Sequence, residues 1–349
     1  MLIRYFYCAL YISDLNLSDH ITREAGLSPD DVELQGFAQD MGTYLYQSKS
    51  QNTVKKYKSY FKNFQCFMSG HGKPFLPANG AQTALFLVSL MKNGCTSNVL
   101  LSYVYAIKWA HDLYSYPDPT IHPFVKNLIQ TSKRSHVNNK RKKDPVSTSD
   151  IRNLFIKYIG SEDCIVVRDL ALIVLAFCGF LRYDEVSNLK CSHVKFHDGY
   201  ISLYIEKSKT DQYRDGKEVL ISKLNSVACP VNALRRYISI VNIDLSSSNY
   251  LFKPMYKTKN KSGLVKTNKR LSYTRAKETV VGRLKEVAPN LNLGLHSLRA
   301  GGATAAANST NVNERCWKRH GRWRSDLSKD GYVKDSIKKR LNVTKNLGL

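Results

Sequence analysis

From Arg168 to Leu181 the chain reads RDLALIVLAFCGFL, and it is apolar on nearly every side from Leu170 to Phe177. A helix with no polar face has nothing to offer water, so other elements must enclose it. It is also shorter than the roughly 20 apolar residues that cross a bilayer. The stretch therefore predicts a buried central helix with the rest of a domain packed around it. Gly179 breaks the run, and the chain then exposes Arg182 before Asp184 and Glu185 open another helix. An arginine directly after a buried helix is placed by the core. Glu185 can pair with it, and a carboxylate can also orient a guanidinium that binds phosphate.

The segments before this helix read as a separate all-α module. In SKSQNTVKKYKSYFKNFQCFMSGHGKPF, Thr53 is a plausible cap and Val54, Tyr57, Phe61, Phe64 and Phe67 recur at helical spacing. Lys55, Lys56, Lys58 and Lys62 cover much of the remaining surface. Helices are expected at ANGAQTALFLVSLMKNG, at SNVLLSYVYAIKWAHDLY with Ser97 as a cap, and at PDPTIHPFVKNLIQTSKR. The module spans residues 49–132. Residues 1–48 carry no readable role, and the opening MLIRYFYCALYISDL reads as a short helix or an artefact of the start rather than a secretory signal. Residues 133–146 are polar and basic, include Pro145, and read as a linker. Its clusters Lys133-Arg134 and Lys140 to Lys143 also have the form of a nuclear localisation signal.

The domain expected over residues 147–349 is mainly helical, with one strong strand signal. In YISLYIEKSKTDQYRDGKEVLIS, Ile201, Leu203 and Ile205 alternate with other residues, and Val219 and Ile221 answer them. That predicts a β-hairpin with Lys207 and Lys209 near its tip. Helices should follow at PVNALRRYISIV, with Pro230 in the first turn, and at SYTRAKETVVGRLKEVA. The whole is an α+β chain, mainly α with a small β-hairpin or sheet.

Charge narrows the partners. The 349 residues include 53 Lys+Arg against 28 Asp+Glu, a formal net charge of +25. Such an excess, spread over the chain, points to a polyanion. The eight cysteines form no Cys-x-x-Cys pair, so neither a zinc site nor a disulfide framework is signalled. Cys191, His193 and His197 lie close together but fit no common zinc spacing and read as structural. No metal, cofactor, small-molecule substrate or membrane is expected.

The stretch from His296 to Tyr332 reads HSLRAGGATAAANSTNVNERCWKRHGRWRSDLSKDGY. His296 and Arg299 share one face of the first turn of a helix, whose N-terminus attracts phosphate by free N–H groups, dipole and charge. Trp323 follows, and Tyr332 ends the stretch as the one candidate nucleophile there. Phosphate binders, a proton-transfer histidine and a tyrosine suggest phosphoryl transfer to a tyrosine.

In chain order, GFLRYDEVSNL, the hairpin EKSKTDQ, HSLRAGGAT and GRWRSDLSKDGY resemble the tyrosine recombinase (phage integrase-type) family. The GRW…DGY ending and the SKTDQYRDG hairpin look most like the recombinases of eukaryotic Crypton- and DIRS-type mobile elements. The resemblance covers the chain from about Ser147 onward, and NTVKKYKSYFKNF extends it less specifically. It implies a helical core-binding (SAM-like) domain followed by a tyrosine recombinase catalytic domain. Arg182 and Arg299 then match the arginines that hold the scissile phosphate, and His296 the histidine of His-x-x-Arg. Lys209, with Lys207 as the alternative, matches the lysine. Trp323 stands where most members have His and some have Trp, nine residues before the nucleophile Tyr332. Glu185 matches the acid that supports the first arginine, and His320 lies close by in a supporting position.

The resemblance also implies the activity: a site-specific recombinase or integrase that cuts and rejoins DNA through a 3′-phosphotyrosyl link. Its partners would be double-stranded DNA and three further copies, a homotetramer on two sites closing around the duplex as clamps. A nuclear location follows if the source is eukaryotic. A type IB topoisomerase and a domesticated, non-cutting DNA-binding protein are the alternatives.

Overall fold

The computed structural model describes residues 16–135, 142–206, 216–258, 262–309 and 311–347. Its chain divides into two units, residues 1–139 and 140–349.

The first unit is helical: α1 (Leu17–Glu24), α2 (Val32–Gln47), α3 (Gln51–Gly70), α4 (Gly80–Lys92), α5 (Ser97–Leu113) and α6 (Pro123–Ser135). Residues 17–47, which showed no readable role in the sequence, thus supply two helices. Tyr46 of α2 and Tyr57 of α3 both pack on Trp109 of α5, with ring centres 6.0 and 5.6 Å away. Helix α3 starts earlier than Thr53 suggested. Ser50 is the cap, extended in backbone, and its hydroxyl accepts from Thr53 N at 3.3 Å. Thr96, not Ser97, precedes α5, and Ser97 is a buried first-turn residue. Phe61 and Phe64 face inward with Met68, as the helical spacing requires, and meet Phe86 and Tyr103.

The second unit is built on the apolar run. After α7 (Thr148–Lys157), helix α8 (Cys164–Cys178) is buried at every position from Val166 to Phe177. Helix α9 (Tyr183–Ser187) follows within a few residues. A three-stranded antiparallel sheet of β1 (Val194–His197), β2 (Tyr200–Ile205) and β3 (Lys217–Ser222) then covers one side. The expected register holds: Ile201 pairs with Ile221 and Leu203 with Val219. Strand β1 was not foreseen, because its four residues are too few for the period to show. Lys207 and Lys209 lie outside the described residues.

Helix α10 (Pro230–Val241) packs on α8, and a two-stranded ribbon of β4 (Met255–Lys257) and β5 (Ser262–Leu264) leads to α11 (Tyr273–Lys285). The chain ends in α12 (His296–Asn308), α13 (Glu314–His320), α14 (Asp326–Asp330) and α15 (Ile337–Lys345). The architecture is mainly α with a small antiparallel sheet. Residues 142–146 of the anticipated linker pack within this unit: Asp144 N donates to Asn292 O at 3.0 Å and Val146 N to Ser297 O at 3.2 Å. Among the described residues, no helix is long and apolar enough to cross a membrane.

Two features of α8 set the framework. The first is a buried charge network inside a helix that otherwise has no polar face. Asp169 Oδ1 takes Arg168 Nη2 at 2.7 Å, and Oδ2 takes Arg283 Nε of α11 at 2.9 Å. Arg168 Nη1 also reaches Lys253 O at 3.3 Å. The second is the contact with α12. A Cβ on Gly301 would stand 2.2 Å from Val146 O, and one on Gly302 only 2.1 Å from Phe177 O. Two adjacent glycines let α12 approach backbone to backbone, which fixes where its first turn lies.

Asp169→Asn should destabilise the protein by about 3–5 kcal/mol, because two arginines lose the carboxylate that compensates them. Gly302→Ala should cost about 1–3 kcal/mol by forcing α12 away from α8. Denaturant unfolding of both variants measures these losses, and a change within error of zero would contradict the packing described.

Candidate active site

The site forms around the turn that ends α8. Gly179 caps the helix, and Phe180 takes a left-handed backbone with φ +47°. That conformation is uncommon for a side chain of this size and is held by its surroundings. The turn aims Arg182 and Glu185 back across the end of the helix. Glu185 is buried and takes partners on both oxygens. Its Oε1 accepts from Arg182 Nη1 at 2.7 Å, and its Oε2 accepts from Arg182 N at 2.9 Å and Arg322 Nη2 at 2.7 Å. Arg299 Nη1 lies 3.9 Å from the same Oε2. Burial works against the charge on Glu185. The cations of Arg322, Arg182 and Arg299, with the Arg182 N–H, outweigh it and hold the carboxyl below its ordinary value.

Arg299 comes from the first turn of α12 and is fully buried. It donates through Nη1 to Phe180 O and through Nη2 to Gly321 O at 2.6 Å. Burial, and then the neighbouring cation of Arg182, push its pKa down to about 10, so it remains charged at neutral pH. Its Cζ stands 4.7 Å from the ring centre of Trp323 and 5.0 Å from that of Tyr332.

The two rings arrive from different turns. Trp323 is buried, against Trp317 at 5.5 Å and Phe180 at 6.0 Å. A Cβ on Gly321 would fall 1.8 Å from the indole, so only glycine there allows this fold-back. Tyr332 follows α14, with its N–H on Lys329 O at 3.1 Å and its carbonyl accepting from Thr304 Oγ1 at 3.3 Å. Its ring centre is 5.7 Å from Trp323 and 5.9 Å from His296.

The structure thus brings Arg182, Glu185, His296, Arg299, Trp323 and Tyr332 into one cluster; the hairpin lysines lie outside the described residues. His320 sits behind it, where its Nε2–H donates to Cys178 O at 2.7 Å and its ring meets Phe180 at 4.7 Å. Burial, with the cations of Arg322 and Arg299, lowers its pKa from the ordinary imidazole value against the hydrogen bond to Cys178 O. Cys191, His193 and His197 do not converge: Cys191 is buried, His193 faces Glu206 at 4.0 Å and His197 bonds Ser202 at 3.1 Å. Among the described residues no group of three potential ligands could hold a metal.

Two residues of the site had no role assigned from sequence. Arg322 is a third buried arginine, with φ +57°. Lys329 is buried beside Trp317, where it pairs with Glu314 and with Asp326 at 3.1 Å and anchors the turn before Tyr332. Arginine and lysine in a basic chain carry no distinguishing pattern, so only burial singles these two out. Three donors in the cluster are buried without a partner among the described residues: Arg299 Nε, Arg322 Nε and Trp323 Nε1. Such donors suit a site that receives an anion.

No protein-family model matches the chain. It is 25% identical over 267 residues to an integrase/recombinase XerD homolog of Selenomonas ruminantium, across 75% of this chain and 76% of that protein. Its fold is similar to the XerH site-specific recombinase bound to palindromic difH substrate in a post-cleavage complex. There the TM-score is 0.58 at 14% identity, covering 97% of this chain and 90% of the other. It is also similar to the Tn1549 transposon integrase in complex with transposon right end DNA. That match has a TM-score of 0.55 at 14% identity, over 87% of this chain and 98% of the other. The chain is thus similar in sequence to an integrase/recombinase and in fold to recombinases of the tyrosine type, and its arginines, histidine and tyrosine gather at the end of α8.

Proposed function

We propose that the chain is a site-specific DNA recombinase or integrase, a strand transferase that cuts and rejoins double-stranded DNA through a 3′-phosphotyrosyl intermediate. The observation that carries this reading is the position of Arg299. One guanidinium packs on both Trp323 and Tyr332, and a shared carboxylate links it to Arg182. A phosphate held by two arginine forks would therefore lie beside the one tyrosine that ends the motif.

The reaction follows from these residue types. The Tyr332 hydroxyl oxygen attacks phosphorus, and the bond from phosphorus to the 5′ oxygen breaks. His296, stacked on the tyrosine ring, takes the phenolic proton. Lys209, or Lys207, protonates the leaving 5′ oxygen. Arg182 and Arg299 stabilise the charge gathered in the five-coordinate transition state, and the unspent Trp323 N–H is a further donor. The phosphodiester is exchanged for a phosphotyrosyl ester, so rejoining needs no nucleotide cofactor. The net charge of +25 supports binding to the DNA backbone. The Trp at 323 and the GRW…DGY ending support a narrower kinship with Crypton- and DIRS-type recombinases, for which the basic clusters near the linker would serve nuclear entry.

Tyr332→Phe should abolish the covalent adduct with a suicide DNA substrate and leave DNA affinity nearly intact. Arg182→Ala and Arg299→Ala should each slow adduct formation by at least about 10²–10³-fold. An adduct with Tyr332→Phe would move the nucleophile elsewhere, and a neutral arginine variant would remove its phosphate role. Supercoil relaxation without strand exchange would instead favour a topoisomerase, and binding without any adduct a non-cutting protein.

Assembly as a homotetramer on two DNA sites belongs to the same proposal. In α15, Ile337 and Leu341, one turn apart, are 74% and 51% exposed and continue the spacing of Val333, an apolar side suited to a neighbouring protomer. Deleting the residues after Asp335 should preserve monomer binding in gel-shift titrations and reduce the complex seen by sedimentation. A full-size complex from the truncated protein would end the docking idea. Affinity should fall with a log–log salt slope of about −0.9 per phosphate neutralised.

A further inference from the structure

We propose that Arg322 is a positioning residue that fixes Glu185, and through it the Arg182 guanidinium, in the geometry needed to hold the scissile phosphate. This rests on the strand-transferase reading of the same site. Arg322 follows α13 and is buried, yet it touches none of the residues assigned to the reacting atoms except through Glu185. Its contacts are all to the frame. Nη1 donates to His320 O at 2.8 Å and Gly179 O at 3.3 Å, and Nη2 donates to Phe180 O at 3.1 Å and Glu185 Oε2 at 2.7 Å.

The division of the carboxylate is the point. Oε1 serves the Arg182 side chain, and Oε2 serves Arg322 and the Arg182 backbone. With both oxygens taken, the carboxylate cannot rotate, and Arg182 Nη1 is held in one place. Phe180 O is likewise shared, between Arg299 and Arg322. Arg322 therefore couples the two phosphate-holding arginines to one turn. The backbone adds a second observation. Arg322 sits at φ +57°, where glycine would be more comfortable. Retaining an arginine in that conformation makes sense if the guanidinium, not the turn, is what the position supplies.

The pH consequence has a definite sign. Glu185 faces Arg182 at the start of α9, Arg299 from α12 and Arg322 after α13. His320 of α13 faces Cys178 O instead. Burial opposes the Glu185 charge, and Arg322 is the strongest of the cations that overcome it. Activity that needs ionised Glu185 is present above its lowered value and is lost as pH falls through it. Removing Arg322 leaves the burial and raises that value, so the acid limb must move to higher pH.

The test uses the full chain with Arg322→Gln, Arg322→Lys and Arg322→Gly. It reads the pH profile of adduct formation on suicide DNA, affinity for inorganic phosphate, and melting temperature. Arg322→Gln should form adduct roughly tenfold or more slowly, the size of loss when a group orienting a ligand-holding side chain is removed. Its acid limb should lie at higher pH, with DNA affinity little changed and phosphate bound more weakly. Arg322→Lys keeps the charge with fewer contacts and should recover part of the rate and of the limb. Arg322→Gly relieves the backbone and should still be as slow as Arg322→Gln. Wild-type rate and an unshifted limb in the Gln or Gly variant would overturn the proposal, and Arg322→Lys decides it if those two do not fold. If the wild-type chain forms no adduct, the strand-transferase reading fails by itself. Phosphate affinity then decides Arg322: weaker binding in the variants supports it, and equal binding, or none in wild type, overturns it.

Discussion

One buried carboxylate holds the second unit's functional end together. Glu185 lies where α8 ends, and the arginines around it come from three separate parts of the sequence: Arg182, Arg299 and Arg322. Cations gathered so closely repel one another. Without a buried anion between them, the cluster would have to open to water or lose protons. Glu185 makes it affordable, and the arrangement leaves a net positive charge facing the place where Tyr332 sits. The same interaction is therefore structural and functional. A buried ion group of this kind is costly to desolvate; hydrogen bonds to the Gly179, Phe180 and Gly321 carbonyls satisfy terminal donors of Arg299 and Arg322, while the Nε of each has no partner among the described residues.

The cluster depends in turn on how closely the backbones approach. Gly301 and Gly302 bring α12 onto α8, and this sets Arg299 against the Phe180 turn. Gly321 lets Trp323 fold over its own chain, and Trp323 then packs between Trp317 and Tyr332. Lys329, buried among acids on Trp317, fixes the turn that delivers the tyrosine. Small residues supply proximity, and the aromatic wall excludes water from one side of the guanidinium. The tyrosine is held by packing and backbone hydrogen bonds, with its ring only partly covered.

The first unit is organised differently. Its core is aromatic, with Phe61, Phe64, Phe86 and Tyr103 around Met68, while Lys55, Lys56, Lys58 and Lys62 point away from that core on α3. Such a helix can pack on one side and meet phosphates on the other. The second unit instead buries its cations around Glu185.

What the sequence determined by itself was anything carried by periodicity or by adjacency. The all-apolar run had to be a central helix, and it is α8; the strand alternation had to pair Ile201 with Ile221, and it does. Arg182, Glu185, His296, Arg299, Trp323 and Tyr332 were legible because short local motifs carry them in order. Short elements escaped: β1, β4 and β5 have three or four residues each, too few for a period to stand out. Caps were misplaced by three residues at Thr53 and by one at Ser97, since Ser, Thr and their neighbours all suit the role locally and packing chooses among them. Only the tertiary structure could decide that Arg322 and Lys329 are buried, because in a chain with 53 Lys+Arg no local pattern separates a solvated cation from an enclosed one. Burial is a property of what distant segments bring to the same place, and here those segments are brought together by one carboxylate and a few glycines.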